Sequence, residues 1–433
     1  MTDRLAYDPY SRAVQLDPYP FYTALREHAP VFRVESMGAW AISRYADVTE
    51  VLKTPDLFSS SSLQTFLAGG GPLRALSHPG ASRVTRAAGW LADTLGLQSP
   101  TLDMVRLTGT RSVISTDPPD HTRLRHLVNR GFTPRRIAAL EPRIREIARD
   151  CLAALGDRSE MDLMRDFAVP LPVTVIAELL GISIDRLGDF KRWSDAVVQG
   201  VSLGRAAAPS RERIAVMSEF MQFLKEVFEE RRRRPGDDLI SVLIGDEAEG
   251  KLDVHELTLF AVLLLVAGNE TTTNLIGNAV HLLLDRPDDL AAVAEDASLI
   301  PGLIEEALRY VSPAQMLARR ATRDTEIAGT RIAKGEHVLV LFASANRDSR
   351  QFENGDEFVL RRNPKDHVAF GYGIHYCLGA SLARLEARIA FEELFARARD
   401  LRRGSGAVSF LESGILRGPR TLPVAFDPAR AAA

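Results

Sequence analysis

The sequence is poor in cysteine and nearly balanced in charge. Only two of its 433 residues are cysteines, too few for a disulfide scaffold and typical of a reducing compartment. The 54 basic and 57 acidic residues leave a formal net charge of −3, which excludes a polybasic nucleic-acid-binding protein. Hydrophobic residues make up 45% of the chain and charged residues 26%, a globular composition that excludes wholesale disorder.

The N-terminal pattern is not the one expected of a signal peptide, and the sequence has no wholly apolar run of membrane-spanning length. The N-terminal segment carries several aspartates and arginines and has no apolar core. The longest apolar run, Phe260–Ala267, is far shorter than the ~20 residues that a membrane helix needs. We therefore expect a soluble, cytoplasmic protein with no membrane partner and no nucleic-acid partner.

The spacing of apolar residues predicts a mainly α fold with a minor β part. Helical spacing dominates from residue 120 to 310. Alternating strand patterns bounded by turn residues occupy 31–43, 325–342 and 408–426.

The clearest predicted helix runs from Val254 to Leu284. Asp253, with Glu256 three residues later, is typical of a helix N-terminus, and Pro287 prevents the helix from continuing. The middle of this helix is apolar on every side. Such a helix is expected to be buried in the protein interior.

Residues 370–379 are Phe-Gly-Tyr-Gly-Ile-His-Tyr-Cys-Leu-Gly. The first two glycines permit a tight turn with positive φ. Cys377 follows at the predicted start of a helix that ends near Arg397, where backbone N–H groups and the helix dipole favour a thiolate. One cysteine without a neighbour cannot build a closed zinc site, but a single thiolate on a loop suits the axial position of a haem iron. Cys151, on another predicted helix, is expected to be a small core residue.

This segment resembles the haem-ligand loop of the cytochrome P450 family, Phe-Gly-x-Gly-x-His-x-Cys-x-Gly, at every fixed position. The resemblance extends over nearly the whole chain. It implies the P450 fold as a single domain over residues 1–433, with a long central helix over the haem and the cysteine-ligand loop on the opposite face. It also implies haem b (iron protoporphyrin IX) as the cofactor, Cys377 as the axial ligand of the iron, and Phe370 and Gly371 as residues beside the haem.

Four basic residues are candidates for binding the haem propionates. His121 and Arg125 are four residues apart and so share one helix face. The resemblance implies that they act together with Arg319 and His375. Four donors around two carboxylates make chemical sense, because a charged group beside an apolar pocket must be paired. A shift of one residue would exchange Arg319 for Arg320.

A second motif of the family, Glu-x-x-Arg, is matched by Glu306 and Arg309. Their i, i+3 spacing puts both side chains on one helix face, where they can pair. The family often has a further basic partner, at a position that is Glu357 in this sequence. Arg361 and Arg362 are therefore the candidates for the third member of this network.

The long helix contains Ala267-Gly268-Asn269-Glu270-Thr271-Thr272, which resembles the oxygen-activating motif of the family. Ala267 and Gly268 are small enough for a flat ligand to approach the backbone. Thr271 can donate a hydrogen bond to the carbonyl of Ala267 and so bend the helix. An acid beside an alcohol in an apolar helix is a candidate proton relay, and the resemblance implies that Glu270 and Thr271 deliver protons to bound O2.

By the order of the family's segments, six residues are expected to line the substrate pocket. They are Leu263, Val266, Ala267, Leu317, Ile415 and Leu416. Each taken alone is equally consistent with a plain core residue. Because all are apolar, the substrate should be a largely apolar small molecule. The sequence leaves terpenoid, steroid, fatty acid, macrolide and aromatic acid substrates open.

Residues 59–116 are the least regular part of the chain. They include Gly69–Gly71 and an amphipathic stretch around Trp90. A structureless loop of this length would be unusual, so the segment is expected to be either a lid with its own helices or disordered. Its place in the family favours an extended lid over the pocket. The chain ends, 1–10 and 427–433, are expected to be flexible tails.

The resemblance implies a haem-thiolate monooxygenase that inserts one oxygen atom from O2 into its substrate. No cysteine pattern for an iron–sulfur cluster and no flavin pattern is present. Electrons are therefore expected from NAD(P)H through a separate ferredoxin and ferredoxin reductase. The alternatives are a peroxide-using or non-oxygenase haem-thiolate enzyme, and a haem-based gas sensor. The presence of Thr271 argues against a peroxide-using enzyme, because peroxide-using relatives tend to lose the acid–alcohol pair that Glu270 and Thr271 form here.

Overall fold

The computed structural model describes residues 6–61, 110–183, 186–202, 211–245 and 252–428. Most of the expected lid, 59–116, lies outside the described residues. Its two ends, 59–61 and 110–116, are described, and they come together at Asp117, whose carboxylate accepts hydrogen bonds from Ser59 and from the backbone N–H of Ser60 (2.9 Å).

Helices form most of the described chain, as the apolar spacing predicted. They are α1 (Arg12–Leu16), α2 (Tyr19–His28), α3 (Tyr45–Lys53), α4 (Asp120–Asn129), α5 (Pro134–Ala139), α6 (Glu141–Ala153), α7 (Pro170–Leu179), α8 (Leu187–Ser202), α9 (Arg211–Arg233), α10 (Leu239–Ile244), α11 (Val254–Leu283), α12 (Pro287–Glu295), α13 (Ile300–Tyr310), α14 (Phe342–Ala345) and α15 (Ala380–Arg397). A π-helix, Met164–Ala168, precedes α7.

The strands are short and form the minor part of the fold. They are β1 (Val31–Val34), β2 (Ala39–Ile42), β3 (Phe58–Ser59), β4 (Glu160–Asp162), β5 (Leu317–Ala321), β6 (Thr325–Ile327), β7 (Thr330–Ile332), β8 (His337–Val340), β9 (Ala398–Arg403), β10 (Ser409–Phe410), β11 (Pro419–Thr421) and β12 (Pro423–Pro428). The largest sheet has the order β1-β2-β8-β5-β3, and a three-stranded sheet has the order β4-β12-β9. In the largest sheet β2 and β8 run parallel, while the other neighbours are antiparallel.

The largest sheet separates two hydrophobic clusters. Leu339 of β8 lies in the cluster that also contains Tyr22 and Ile415. Its neighbours Val338 and Val340 lie in a different cluster. This alternation follows from the period of two in a strand, which sends successive side chains to opposite faces. Every one of these three side chains is fully buried.

Helix α11 is the central element of the largest cluster. Its N-terminus has the capping box that the sequence predicted: the Asp253 carboxylate accepts from the backbone N–H of Glu256 (2.8 Å), and the Glu256 carboxylate accepts from that of Asp253 (3.1 Å). Most of its side chains are buried, and α7, α8, α13 and α15 pack against it. This packing fixes the position of the α11 side chains relative to α7, α8, α13 and α15.

Among the described residues, α11 is also the one helix long and apolar enough to cross a membrane, judged by length and composition alone. Within its most apolar 18-residue window, 56% of the residues are buried inside the protein. That pattern is shared by the core helix of a soluble protein.

The packed region extends into both predicted tails. Tyr7 is buried, with its ring centroid 5.9 Å from that of Tyr22, and β12 continues to Pro428. The remaining tail residues, 1–5 and 429–433, lie outside the described residues. Cys151 is partly buried against the largest cluster, and burial raises the pKa of its thiol to about 11. This thiol is therefore inert, in agreement with the core position predicted for it.

Candidate active site

The cysteine loop is closed by backbone hydrogen bonds. Gly371 and Gly373 have φ of +72° and +70°, and a side chain at Gly373 would place its Cβ 2.6 Å from the carbonyl oxygen of Leu52. The N–H of Cys377 donates to the carbonyl of Phe370 (2.9 Å). Helix α15 begins only at Ala380, so Cys377 lies just before the helix and not at its start as the sequence predicted.

A buried ion pair lies under this loop. Glu306 and Arg309, both 0% exposed, make two bonds of 2.8 and 2.7 Å, and Nε of Arg362 lies 3.2 Å from the Glu306 carboxylate. Arg362, and not Arg361, is thus the third member of the network. Arg309 also donates to the carbonyl of Asn346 (2.9 Å), and the Asn346 amide oxygen accepts from the N–H of Val368 (2.7 Å). The network therefore supports the start of the cysteine loop.

Four basic side chains predicted as a group do meet in the structure. His121 of α4 is 3% exposed, Arg319 of β5 is 5% exposed, and the rings of His121 and His375 are 4.3 Å apart. The charges of Arg319 and Arg125 both act on His375. Neighbouring Arg320 instead donates from Nε to the carbonyl of Gly335 (3.3 Å), outside this cluster.

This basic cluster is buried and contains more positive than negative charge. Burial is the largest cause that lowers the pKa of His121 and of Arg125, and it lowers that of Arg319 to about 10 and that of His375 to about 3. Asp117 is the one carboxylate whose charge raises the pKa of His121 and Arg319. Nε2 of His121 is buried with no hydrogen-bond partner among the described residues, whereas Nε2 of His375 lies 3.0 Å from the Ser60 hydroxyl.

Helix α11 carries the predicted acid and alcohol. The hydroxyl of Thr271 donates to the carbonyl of Ala267 at 2.6 Å, the local bond that the sequence predicted. Glu270 is partly buried, and its pKa is raised to about 7, first by burial and second by the charge of Asp195. A carboxyl with this pKa holds a proton about half of the time near neutral pH.

Gly268 packs against a neighbouring helix. A Cβ at Gly268 would lie 2.7 Å from Cδ1 of Ile176, so the missing side chain faces α7 and allows the two helices to approach closely. Its small size therefore serves helix packing, and the approach of a flat ligand at this position stays a prediction. Ala267, one residue earlier, is exposed and remains available to line a site.

Sequence reasoning missed the polar side chains that surround this stretch of α11. The amide of Asn269 donates to the hydroxyl of Ser194 on α8 (3.0 Å), and both residues are buried. The Asn269 amide oxygen lies 3.2 Å from the hydroxyl of Thr273, which donates to the carbonyl of Ala168 (3.0 Å). An Asn in the middle of an apolar helix was the available signal, because a buried amide needs partners.

The comparisons with known proteins identify the family. The family model for cytochrome P450 matches residues 96–399. Cytochrome P450 107B1 of Saccharopolyspora erythraea is 39% identical over 98% of this chain and 97% of its own length. A vitamin D(3) 25-hydroxylase of Pseudonocardia autotrophica is 38% identical over 98% and 97%. The structure of cytochrome P450 CYP109Q5 from Chondromyces apiculatus, 40% identical, superposes with a TM-score of 0.83 over 99% of this chain and 100% of that one. The chain belongs to the cytochrome P450 family.

As a P450, the protein is an oxidoreductase of the monooxygenase class, has the mainly α fold of that family and binds haem b. The cluster of basic residues fits the two propionates of haem b. It has an excess of positive charge, and the buried Nε2 of His121 lacks a partner. The two propionate carboxylates would supply negative charge to the arginines and a hydrogen-bond partner to Nε2 of His121. Such charge-assisted bonds compensate for the cost of burying the basic groups. Arg125, Arg319, His121 and His375 are the donors within the described residues.

The cysteine loop of this P450 fits an iron atom on its thiol side. Burial raises the pKa of the Cys377 thiol, and the N–H of Gly379 and the charges of Arg125 and Arg384 oppose that effect only in part. The expectation that the fold alone favours the thiolate is therefore wrong. A metal cation bound to sulfur would itself remove the proton, as it does from any coordinating thiol. Phe370, the first residue of the loop, has the guanidinium of Arg384 4.5 Å from the centre of its ring.

The residues predicted to line the P450 pocket fall into two groups. Leu317, Ile415 and Leu416 belong to one hydrophobic cluster, held by a bond from the N–H of Gln315 to the carbonyl of Ile415 (2.7 Å). Leu263 and Val266 are partly exposed on α11, next to Ala267. Ile114, which the sequence did not single out, packs against the first group.

Proposed function

We propose that this P450 inserts one oxygen atom from O2 into a largely apolar small molecule, by hydroxylation or a related oxidation. One observation carries the proposal: Glu270, with a pKa of about 7, precedes Thr271, whose hydroxyl is held at 2.6 Å from the Ala267 carbonyl. A protein that only bound a gas would have no need of a proton donor tuned to neutral pH.

The proposed division of work follows the positions of the side chains. When bound, the haem supplies the iron at which O2 is reduced. Cys377 would hold the iron through its sulfur, and the basic cluster would hold the propionates. Glu270 would store a proton at neutral pH, and the hydroxyl of Thr271 would pass it on by breaking its bond to the carbonyl of Ala267. The substrate would lie against the apolar side chains at 263, 266, 317, 415 and 416.

The proposed substrate class rests on the chemistry of those side chains. The side chains of leucine, isoleucine and valine form no hydrogen bonds. They therefore favour a substrate with an apolar surface, and the shape of the pocket has to orient that substrate. The relative named as a vitamin D(3) 25-hydroxylase supports an apolar substrate. We also propose that residues 1–433 form one domain, which the match of P450 107B1 over 98% of the chain supports.

We propose that a separate ferredoxin and its reductase deliver electrons from NAD(P)H. The chain has only two cysteines, and with Cys377 assigned to iron it has no cysteine set for an iron–sulfur cluster of its own. Tyr372 and Tyr376 are exposed on the cysteine loop, and the ammonium of Lys53 lies 5.0 Å above the ring of Tyr372. An exposed aromatic and cationic surface near the iron ligand suits an acidic protein partner. We also propose that the protein is soluble and cytoplasmic.

The test combines the purified haem protein with surrogate ferredoxin, ferredoxin reductase and NADPH. A library of apolar compounds is first screened for a change in haem spin state, and the compounds that bind are then assayed for turnover. We expect NADPH consumption that depends on both partner proteins and a product that carries ¹⁸O from ¹⁸O2. Product formed only from added peroxide would favour the peroxide-using alternative. Binding of gases without turnover of any spin-shifting compound would favour the sensor.

A further inference from the structure

The turn that joins β10 to β11, residues 411–418, carries two of the proposed pocket residues, Ile415 and Leu416. The hydroxyl of Ser413 accepts hydrogen bonds from the backbone N–H groups of both residues (3.2 and 3.1 Å), which shapes the tip of the turn. The carbonyl of Ile415 accepts from the N–H of Gln315 (2.7 Å). The tip of the turn is therefore tied to the segment that precedes β5.

Arg417 ties the same turn to α1. Its guanidinium donates to the carbonyl of Gln15 (3.1 Å) and to that of Leu16 (3.0 Å). These are the last two residues of α1, where carbonyl groups lack partners within the helix and a cation interacts favourably with the helix dipole. The same guanidinium lies 5.5 Å from the ring centre of Tyr19. Arg417 thus contacts the N-terminal segment at three points.

The backbone of Arg417 is itself held in place. Its N–H donates to the carbonyl of Pro313 (2.8 Å), and its carbonyl accepts from the side-chain amide of Asn278 on α11 (3.0 Å). Because this backbone is held on both sides, the guanidinium sets the distance between α1 and the turn.

The tip of the turn also touches the N-terminal segment directly. A side chain at Gly414 would place its Cβ 2.7 Å from the carbonyl oxygen of Pro9, so the two backbones are in close contact. Tyr7 and Val14, each 3% exposed, belong to the same hydrophobic cluster as Ile415. An isolated helix of five residues, the length of α1, is unstable in water. Helix α1 and the tip of the turn therefore support each other.

We propose that residues 7–19 brace one wall of the substrate pocket, and that Arg417 is the positioning residue that couples them to Ile415 and Leu416. The proposal rests on the function proposed above, in which these two side chains line the pocket. A wall that is held in place before the substrate arrives binds it more tightly, because less conformational freedom is lost on binding. The N-terminal segment thereby favours substrates that reach this wall over smaller ones.

The test measures binding to the holoprotein and needs no turnover. Imidazole and 1-dodecylimidazole are used as probes, because both bind haem iron through nitrogen and the shift of the Soret band gives a dissociation constant for each. The ratio of the two constants isolates the contribution of the apolar chain. In Arg417→Ala the preference for the long probe should fall by roughly three- to tenfold, while the affinity for imidazole stays at the parental value.

Further variants separate the brace from a general loss of stability. Arg417→Lys should restore part of the preference, because an ammonium group can still donate to a carbonyl at a helix C-terminus. Gly414→Ala should lower the preference in the same direction, since the added Cβ pushes the tip away from Pro9. Arg420→Ala is the matched control: Arg420 is an exposed arginine on the adjacent strand β11, and its removal should leave the ratio unchanged.

Hydrogen exchange shows whether the two segments are coupled. In Arg417→Ala, peptides that cover residues 12–17 and 411–418 should both exchange faster than in the parent. Faster exchange at 12–17 alone would overturn the proposal, as would a parental ratio of dissociation constants in both Arg417→Ala and Gly414→Ala. If no compound is turned over with the ferredoxin partners, the proposed function fails, whereas the ratio still decides whether the N-terminal segment braces the pocket wall.

Discussion

Thr271 and Glu270 are adjacent on α11, yet their surroundings give the two side chains different tasks. The bond from Thr271 to Ala267 is local, spans four residues, and was therefore readable from the sequence. The pKa of Glu270 depends on burial and on Asp195, which is 75 residues away in the chain, so no local pattern could reveal it. The packing of Gly268 against Ile176 was missed for the same reason.

Replacing Thr271 should change the fate of electrons and not the binding of haem or substrate. In Thr271→Ala, haem content, the carbonyl spectrum and the substrate-induced spin shift should persist. Product per NADPH should fall and hydrogen peroxide should rise, because the positioned hydroxyl is lost. A positioned proton-transfer group is worth roughly 10²–10⁴-fold, and water in an open pocket reduces the effect to the lower end or less.

Thr258→Ala is the matched control for this experiment. Thr258 donates to the carbonyl of Val254 (2.7 Å) in the same way and on the same helix, but near its N-terminus. It should leave the coupling of NADPH to product unchanged. Parental coupling in Thr271→Ala, or simple loss of haem, would make Thr271 a packing residue.

Glu270 should make stability depend on pH in a defined direction. Well below pH 4.5 the carboxyl is protonated in both the folded and the unfolded chain and has no effect. Between pH 4.5 and about 7 the unfolded chain ionises it while the folded protein keeps it neutral, so the parent loses stability relative to Glu270→Gln. The loss should reach about 3 kcal/mol at most and then level off.

Chemical denaturation of both holoproteins across this pH range measures the difference. The free energies of unfolding of parent and variant should be parallel below pH 4.5 and should diverge above it. A constant difference over the whole range would show that Glu270 is not shifted upward.

At the scale of elements, α13 and the segment 346–357, which follows α14, support the start of the cysteine loop. Arg309 bonds to three carbonyl groups of that segment as well as to Glu306. The i, i+3 spacing predicted the ion pair, since one helix determines it. The choice between Arg361 and Arg362 depends on a turn whose direction the sequence does not give, and the structure selects Arg362.

Removing Arg362 should therefore destabilise the protein, and removing Arg361 should not. Arg362→Ala leaves one oxygen of the fully buried Glu306 with fewer donors, which costs about 1–3 kcal/mol. Arg361, the neighbouring residue, is exposed and serves as the control. Thermal unfolding of the two holoproteins checks this, and equal midpoints would remove Arg362 from the network.

The donors on α4 and β5 should determine how firmly haem is held. Arg319→Ala, His121→Ala and Arg125→Ala should each weaken haem retention, because a charge-assisted bond to a propionate is worth about 1.5–3 kcal/mol. Arg320→Ala is the control on the same strand, since Arg320 bonds to Gly335. The rate of haem transfer to apomyoglobin measures retention. Parental rates in all three variants would refute the propionate assignment.

At the scale of the whole molecule, the sequence predicted the mainly α fold and the regions of most strands, but it missed β3, β4, β5 and β9 and did not show how the strands pair. The long helix was predicted to within one residue, because its capping box and apolar run are local signals. The parallel pairing of β2 with β8 joins segments nearly 300 residues apart, and only tertiary packing specifies it. The meeting of α4, β5 and the cysteine loop around the propionate site depended on the family resemblance.

The central claim is that Cys377 binds the haem iron as a thiolate, and the spectrum of the reduced carbonyl complex tests it most directly. The parent protein should show the red-shifted Soret band characteristic of thiolate ligation. Cys377→Ser should abolish that band, while Cys151→Ser, which changes the other cysteine, should retain it. An unshifted band in the parent, or a normal thiolate band in Cys377→Ser, would contradict the account.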